Sequence, residues 1–388
     1  MNSRIIYFDN AATSFPKPKT MVEAVSQYLL TENANPGRSG HKMSMKAGEY
    51  VFEGRKAIAT LFNTDNPMKV VFTKNATEAL NLAINGLYEK GDHFITTSME
   101  HNSVLRPLSY LKKNNLIDLD IIEGNKNGEI DLKNIKNAIK SNTRAVVINH
   151  ASNVNGIVQN VAAITRFCHD SKIISILDAS QSAGIIPIDT KKLKVDLIAI
   201  TGHKSLYGPT GIGALVFSDS FDERIINPQA RGGTGSLSNS IDQPDFMPDR
   251  FESGTLNVAG IVGLTASIRY LAKYKNKIQS KKQKLVQFFI EECKAKISGI
   301  EFQTNPELQN CGIVSFTLGD LTASKVTQRL SDDYNIMSRQ GLHCAPLAHK
   351  TLNTFPQGTV RFSFGIFSNF DEIEQSIIAL RQIIKEKK

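Results

Sequence analysis

Short, β-branched apolar runs recur through the first two-thirds of this chain, at Lys69–Thr73, His93–Thr97, Arg144–Asn149, Ile173–Leu177, Val195–Ile200 and Gly213–Phe217. Amphipathic stretches separate most of them, with helices expected from Ala76 and after Glu100. Strands that are apolar on both faces have to lie in a largely parallel sheet with helices on either side, which makes the fold class α/β. The last two runs are joined only by a Gly- and Pro-rich link, too tight for a crossover helix, so a mixed sheet is expected. Beyond Gly254 the texture changes. A helical stretch over Val258–Ile297 carries apolar residues at helical spacing on a Lys-rich background. A smaller α+β unit follows, with strands at Gly312–Phe316 and Thr359–Ser363 and a closing helix from Asp371. The polar segment Arg231–Ser240 reads as a loop, either mobile or offering backbone donors to an anion.

At 388 residues the chain is too long for one core, so two or three domains are expected, with ample room to bury a cofactor. The net charge of +9 is spread along the sequence without a block of like charges. Neither zinc-finger spacing nor an RNA-binding signature accompanies it, so no nucleic-acid partner is expected. Cys168, Cys293, Cys311 and Cys344 lie far apart and form no Cys-x-x-Cys pair, which argues for reduced thiols in the cytoplasm and against a metal site or a disulfide framework. No apolar run approaches membrane-spanning length, so a soluble, unexported protein is expected.

Ligands of open α/β sheets gather at the carboxyl ends of the strands, so the residues just past each run carry most weight. Lys204 follows Val195–Ile200 and stands among Gly202, Gly208, Gly211 and Gly213. A lone lysine in a glycine turn is usually a solvated charge, but a partly desolvated one loses its proton and forms Schiff bases with carbonyls. Asp178, at the end of Ile173–Leu177, can pair with a protonated pyridine nitrogen or simply cap the next segment, and Gln181 can donate to a phenolic oxygen. His101 can stack on a planar ring or shuttle a proton, though a lone histidine is more often structural. Asn153 can bond a ring oxygen or a substrate carboxylate, or make an Asx turn. Past Lys69–Thr73, a helix start offers free amides and the Thr77 hydroxyl to a phosphate, while ordinary capping by Asn75 explains the same residues. Each signal is weak alone. An acid, a planar-group neighbour, a phosphate seat and a lysine all at strand ends point together to pyridoxal 5'-phosphate.

Asn10–Thr13, Asn75–Ala79, Glu100–His101, Ser152–Asn153, Asp178–Gln181, Gly202–Lys204, Tyr207–Gly211 and Phe251–Thr255 occur in the order seen in class V aminotransferase-like enzymes. Over nearly its whole length the chain resembles the cysteine desulfurases and selenocysteine lyases among them. The resemblance implies a PLP-dependent fold-type I, aspartate aminotransferase-like homodimer with active sites at the subunit interface. A large domain over residues 16–257 holds the cofactor, and a small domain combines 1–15 with 258–388. By this resemblance Lys204 bonds the cofactor's aldehyde, Asp178 holds the pyridine nitrogen, Gln181 contacts the phenolic oxygen, and His101 stacks on the ring. Asn153 borders both cofactor and substrate. Ala76, Thr77, Thr201 and His203 surround the phosphate, with Thr255 reaching in from the other subunit.

Ser338–Leu347 resembles the short Arg-x-Gly-x-His-Cys segment of the desulfurase subgroup that includes sulfur-mobilisation and selenocysteine-lyase enzymes. A free cysteine is more often a buried small hydrophobe, but this segment makes Cys344 the sulfur acceptor, with His343 and Arg339 expected to favour its thiolate. Arg361 resembles the arginine that clamps the substrate carboxylate in a planar two-point contact, its bland alternative being a surface charge at a strand edge. The implied reaction turns L-cysteine into L-alanine. Lys204 moves the α-proton, and the sulfur is held as a persulfide on Cys344 for an acceptor protein, as in iron-sulfur cluster assembly. A selenocysteine lyase, or another class V β-lyase or aminotransferase in which Cys344 is dispensable, is the alternative.

Overall fold

The computed structural model describes residues 5–37 and 40–386, so the first four and last two residues of the expected small domain lie outside the described residues. The larger sheet has seven strands, in spatial order Val70–Thr73, Gly213–Phe217, Leu197–Thr201, Ile174–Asp178, Thr143–Asn149, Asp92–Thr97 and Ile117–Ile122. Gly213–Phe217 runs against both neighbours, and the other pairs are parallel. The sheet is mixed for the expected reason: the chain leaves Thr201, turns without a helix and comes straight back. A Cβ at Gly213 would sit 2.6 Å from the Ile200 carbonyl oxygen and 2.8 Å from the Asn75 backbone, so only glycine lets the returning strand pass. Alternate residues of each strand feed two cores, Ile148, Leu177 and Ile198 on one face and Val147, Ile176 and Leu197 on the other.

The sequence pattern did not predict the strand Ile117–Ile122. Its apolar residues are interrupted by Asp118 and Asp120, and only an edge position lets such a strand turn its acids to water while Ile117 and Leu119 stay buried.

A second, antiparallel sheet runs Arg339–Gly341, Thr359–Ser363, Ile313–Leu318, Ile300–Phe302. Near it, Ile6–Tyr7 pairs in parallel with Ile336–Met337, and Phe8 packs against Phe362 and Phe364 with ring centroids 5.2 and 5.0 Å away. The N-terminal segment therefore joins the C-terminal core. The single helical stretch expected over 258–297 is two helices, Val258–Ala272 and Lys275–Lys296. The first, apolar on nearly every side, is drawn into the larger core through Ile261, Leu264 and Ile268, and Ile278 still packs there. From Leu285 onward the second helix serves the smaller core. The change of core thus falls inside the second helix. Among the described residues, no helix is long and apolar enough to cross a membrane.

Candidate active site

A cavity of about 180 Å³ opens at the carboxyl ends of the central strands. Ala76, Thr77, His101, Asn153, Asp178, Gln181, Thr201, His203 and Lys204 all line it, so nine expected cofactor neighbours, scattered over 129 positions, converge on one space. Thr255 does not. It lies exposed on the loop before Val258–Ala272 and is not among the residues that line the cavity.

Burial pushes the Lys204 ammonium below the ordinary lysine range, against the opposing pull of Asp178. The Asp178 carboxylate is fixed by Ser180, whose amide and hydroxyl donate to Oδ1 at 2.9 and 2.5 Å. No helix follows Asp178, so the expected cap is instead a turn closed onto Ser180, while Asp178 also lines the cavity. His101 does cap a helix. Its Nδ1 accepts from the Ser103 amide at 3.1 Å and caps the helix Asn102–Lys113, while the ring lines the cavity. Burial, and then the charge of Lys204, hold His101 down to about 4, so the imidazole is neutral at physiological pH. Ser103, which the sequence did not single out, is the hub here: its Oγ lies 2.8 Å from both His101 Nδ1 and Thr77 Oγ1. Its only signal was its place in the first turn after His101.

The residues present fit pyridoxal phosphate on a direct test. Thr201 Oγ1 and His203 Nδ1 are buried polar atoms without a partner, and both residues line the cavity beside the start of the helix Ala76–Leu87, where free amides favour an anion. Burial, with Lys204 second, keeps His203 near 4 and therefore neutral at physiological pH. Gln181 lines the cavity with one N–H already given to the Ala11 carbonyl at 3.0 Å.

Arg361 is no surface charge. It is 2% exposed, on the strand Thr359–Ser363. Its Nη2 donates to Asp9 Oδ1 and its Nη1 to the Asn153 carbonyl, both at 2.9 Å, and its Nε is buried without a partner. Arg339 stands directly opposite on the neighbouring strand. Like charges so placed repel, and an added carboxylate between them relieves that strain.

Cys344 is exposed and lines a wide outer cleft of about 790 Å³. Thr77, His101 and Ser103 line this cleft and the Lys204 cavity alike. The segment is pinned at both sides: the Asn102 amide donates to the Cys344 carbonyl at 2.8 Å and Asn153 Nδ2 donates to the His343 carbonyl at 2.7 Å. His343 and Cys344 have φ of +49° and +56°, a left-handed pair costing about 1–3 kcal/mol per residue that these bonds must hold in place. One expectation fails. His343 does not lend Cys344 a positive charge, because burial holds its imidazole well below the usual range and therefore neutral.

The family model for class-V aminotransferases matches residues 6–375. The chain belongs to the class-V aminotransferase family. A Pyrococcus abyssi relative named "Probable cysteine desulfurase" is 35% identical over 99% of this chain and 96% of its own length. The "Cysteine desulfurase IscS" of Vibrio atlanticus is 33% identical over 98% of this chain and 93% of its own. The solved apo cysteine desulfurase of Thermococcus onnurineus NA1 superposes with a TM-score of 0.90 at 34% identity, covering 98% of this chain and 95% of that one. The chain is thus a pyridoxal-phosphate-dependent cysteine desulfurase of α/β fold, with L-cysteine as its substrate.

Proposed function

We propose that Lys204 and Cys344 divide the reaction between them. The observation that carries this is the shared wall of Thr77, His101 and Ser103, with Lys204 on its inner side and the exposed Cys344 on its outer side. When bound, pyridoxal phosphate supplies an electron sink next to the substrate α-carbon. Asp178 would hold its ring nitrogen, Gln181 its phenolic oxygen and neutral His101 its ring, and Ala76, Thr77, Thr201 and His203 would hold the phosphate. Burial leaves more of the Lys204 amine uncharged, as a group that bonds an aldehyde and takes the α-proton requires. Arg361 and Arg339 hold the substrate carboxylate beside Asn153. The Cys344 sulfur takes the substrate sulfur: its S–H and the substrate C–S bond break, an S–S bond forms, and L-cysteine leaves as L-alanine with a persulfide on Cys344.

The short segment around Cys344 resembles the Arg-x-Gly-x-His-Cys motif of one desulfurase subgroup, which supports a persulfide that passes to an acceptor protein through the outer cleft. The homodimer, with Thr255 completing the phosphate site of the other subunit, accounts for Thr255 lying exposed. Four unpaired cysteines suit the cytoplasm. The test is Cys344→Ala. The variant is expected to bind cofactor with unchanged absorbance and to lose sulfur release from L-cysteine, while mass spectrometry of the wild type after L-cysteine finds one added sulfur on Cys344. Unchanged sulfur release by the variant sinks the reading.

A further inference from the structure

Glu100 adjoins His101, yet no step above uses it. It is 0% exposed. Its Oε1 accepts from Thr97 Oγ1 at 2.6 Å and from the Asn149 amide at 3.0 Å, while Oε2 is buried without a partner. The neighbouring Asn149 side chain has the same deficit. Its Nδ2 donates to the Met99 carbonyl at 2.6 Å, and its Oδ1 is buried and accepts nothing. The Asn149 backbone amide already bonds Glu100 Oε1, so these two unbonded oxygens belong to hydrogen-bonded neighbours. Two acceptor oxygens cannot bond each other, and turning the Asn149 amide over only sets its oxygen against the Met99 carbonyl. One proton on Glu100 Oε2, given to Asn149 Oδ1, satisfies both atoms.

The surroundings agree. Asn149 is the cross-strand partner of Asp178, and the Asp178 carboxylate acts on Glu100 as a like charge. His101 beside it and His150 after Asn149 are neutral, both held near 4 by burial. Burial first, with a contribution from Asp178, pushes the Glu100 carboxyl up to about 8. Two neighbouring buried carboxyls do not both ionise.

We propose that Glu100 is a positioning residue that carries a proton at neutral pH and donates it to Asn149, leaving Asp178 as the single negative charge that faces the cofactor's ring nitrogen. The role given to Asp178 rests on the function proposed above; the proton on Glu100 does not.

The sign of the pH effect follows from a folded value above the ordinary carboxyl value of 4.5. The folded state then holds a proton that the unfolded state has lost, so this stabilisation is complete below about 4.5 and fades as pH rises to about 8. The lowered histidines and the buried Lys17, Lys204 and Lys282 hold fewer protons in the folded chain than in the unfolded one, so they oppose Glu100 across this range. All of them are common to the wild type and Glu100→Gln, so the ratio of the two unfolding constants isolates Glu100.

The experiment is denaturant unfolding of the cofactor-free chain across that window. The wild-type unfolding constant divided by that of Glu100→Gln, whose amide mimics the protonated acid, should rise by up to about tenfold per pH unit, with cofactor binding unchanged at neutral pH. Parallel curves for the two proteins, or weakened cofactor binding by the variant, overturn the proposal. In Asp178→Asn the wild-type slope should move to lower pH, and an unmoved slope refutes the shared charge. If Glu100→Gln does not fold, infrared spectra of the wild type decide. A buried protonated-carboxyl band at pH 7 that disappears above pH 8 supports the proposal, and its absence at pH 7 overturns it. The expected divergence of the wild-type and Glu100→Gln curves together with wild-type turnover by Asp178→Asn leaves the Glu100 proton standing and removes the reading of Asp178 instead.

Discussion

At the scale of single residues, Arg361 links most of the chemistry. Its guanidinium bridges Asp9 and the Asn153 carbonyl, and Asn153 in turn holds the carbonyl of His343, next to Cys344. A lysine places one compact charge where Arg361 places a planar fork, so it cannot keep both 2.9 Å bonds and still meet a carboxylate. Arg361→Lys is therefore expected to raise KM for L-cysteine by about ten- to a hundredfold, the loss of one charge-assisted contact of about 1.5–3 kcal/mol, with a smaller effect on kcat. Steady-state kinetics separates the two. A variant with the wild-type KM would take the carboxylate clamp away from Arg361. Lys204, Asp178 and Cys344 were legible in the sequence because each stands in a local run with its own chemistry. Asp9 as the partner of Arg361 was not, since 352 positions separate the two and only the fold of the N-terminal segment onto the small sheet brings them together.

At the scale of elements, the strand ends were legible wherever both faces of a strand are buried, because such strands read as unbroken apolar runs. The edge strand Ile117–Ile122 was not, its acids hiding the pattern, and neither was the break between the two helices over 258–296, where apolar spacing continues across a change of core. The helix starts carried two meanings at once. Asn75 caps Ala76–Leu87 by accepting from the Glu78 amide at 3.0 Å, and that cap fixes Ala76 and Thr77 against the cavity. Capping and phosphate binding need the same geometry, so the cap does not exclude the phosphate seat. Asn75→Ala should cost about 1 kcal/mol of stability and also weaken cofactor binding. Melting of the cofactor-free chain and a cofactor titration measure the two effects. Lost stability with unchanged cofactor affinity would show that the cap does not set the phosphate seat.

At the scale of the whole molecule, buried histidines dominate the response to acid. His101, His150, His203 and His349 are each held near 4, chiefly by burial, and His343 lies well below its usual range. Their folded values lie below the unfolded value of 6.5, so the unfolded chain takes up protons that the native state refuses. Stability is fully present above about 6.5 and falls as pH drops toward 4. Glu100 works in the opposite sense over part of this range, but one carboxyl is set against several imidazoles, so the histidines win. The unfolding constant of the cofactor-free chain should rise by more than tenfold per pH unit between about 6 and 4.5, a slope steeper than one proton can give. Denaturant unfolding at a series of pH values checks this, and a plateau there would mean that these rings are protonated in the native state. His203 adds a way to tell the cavity from the rest of the molecule. A bound phosphate beside it favours the imidazolium, so the cofactor-loaded protein should lose less stability per pH unit than the cofactor-free chain, and the difference should disappear in His203→Asn.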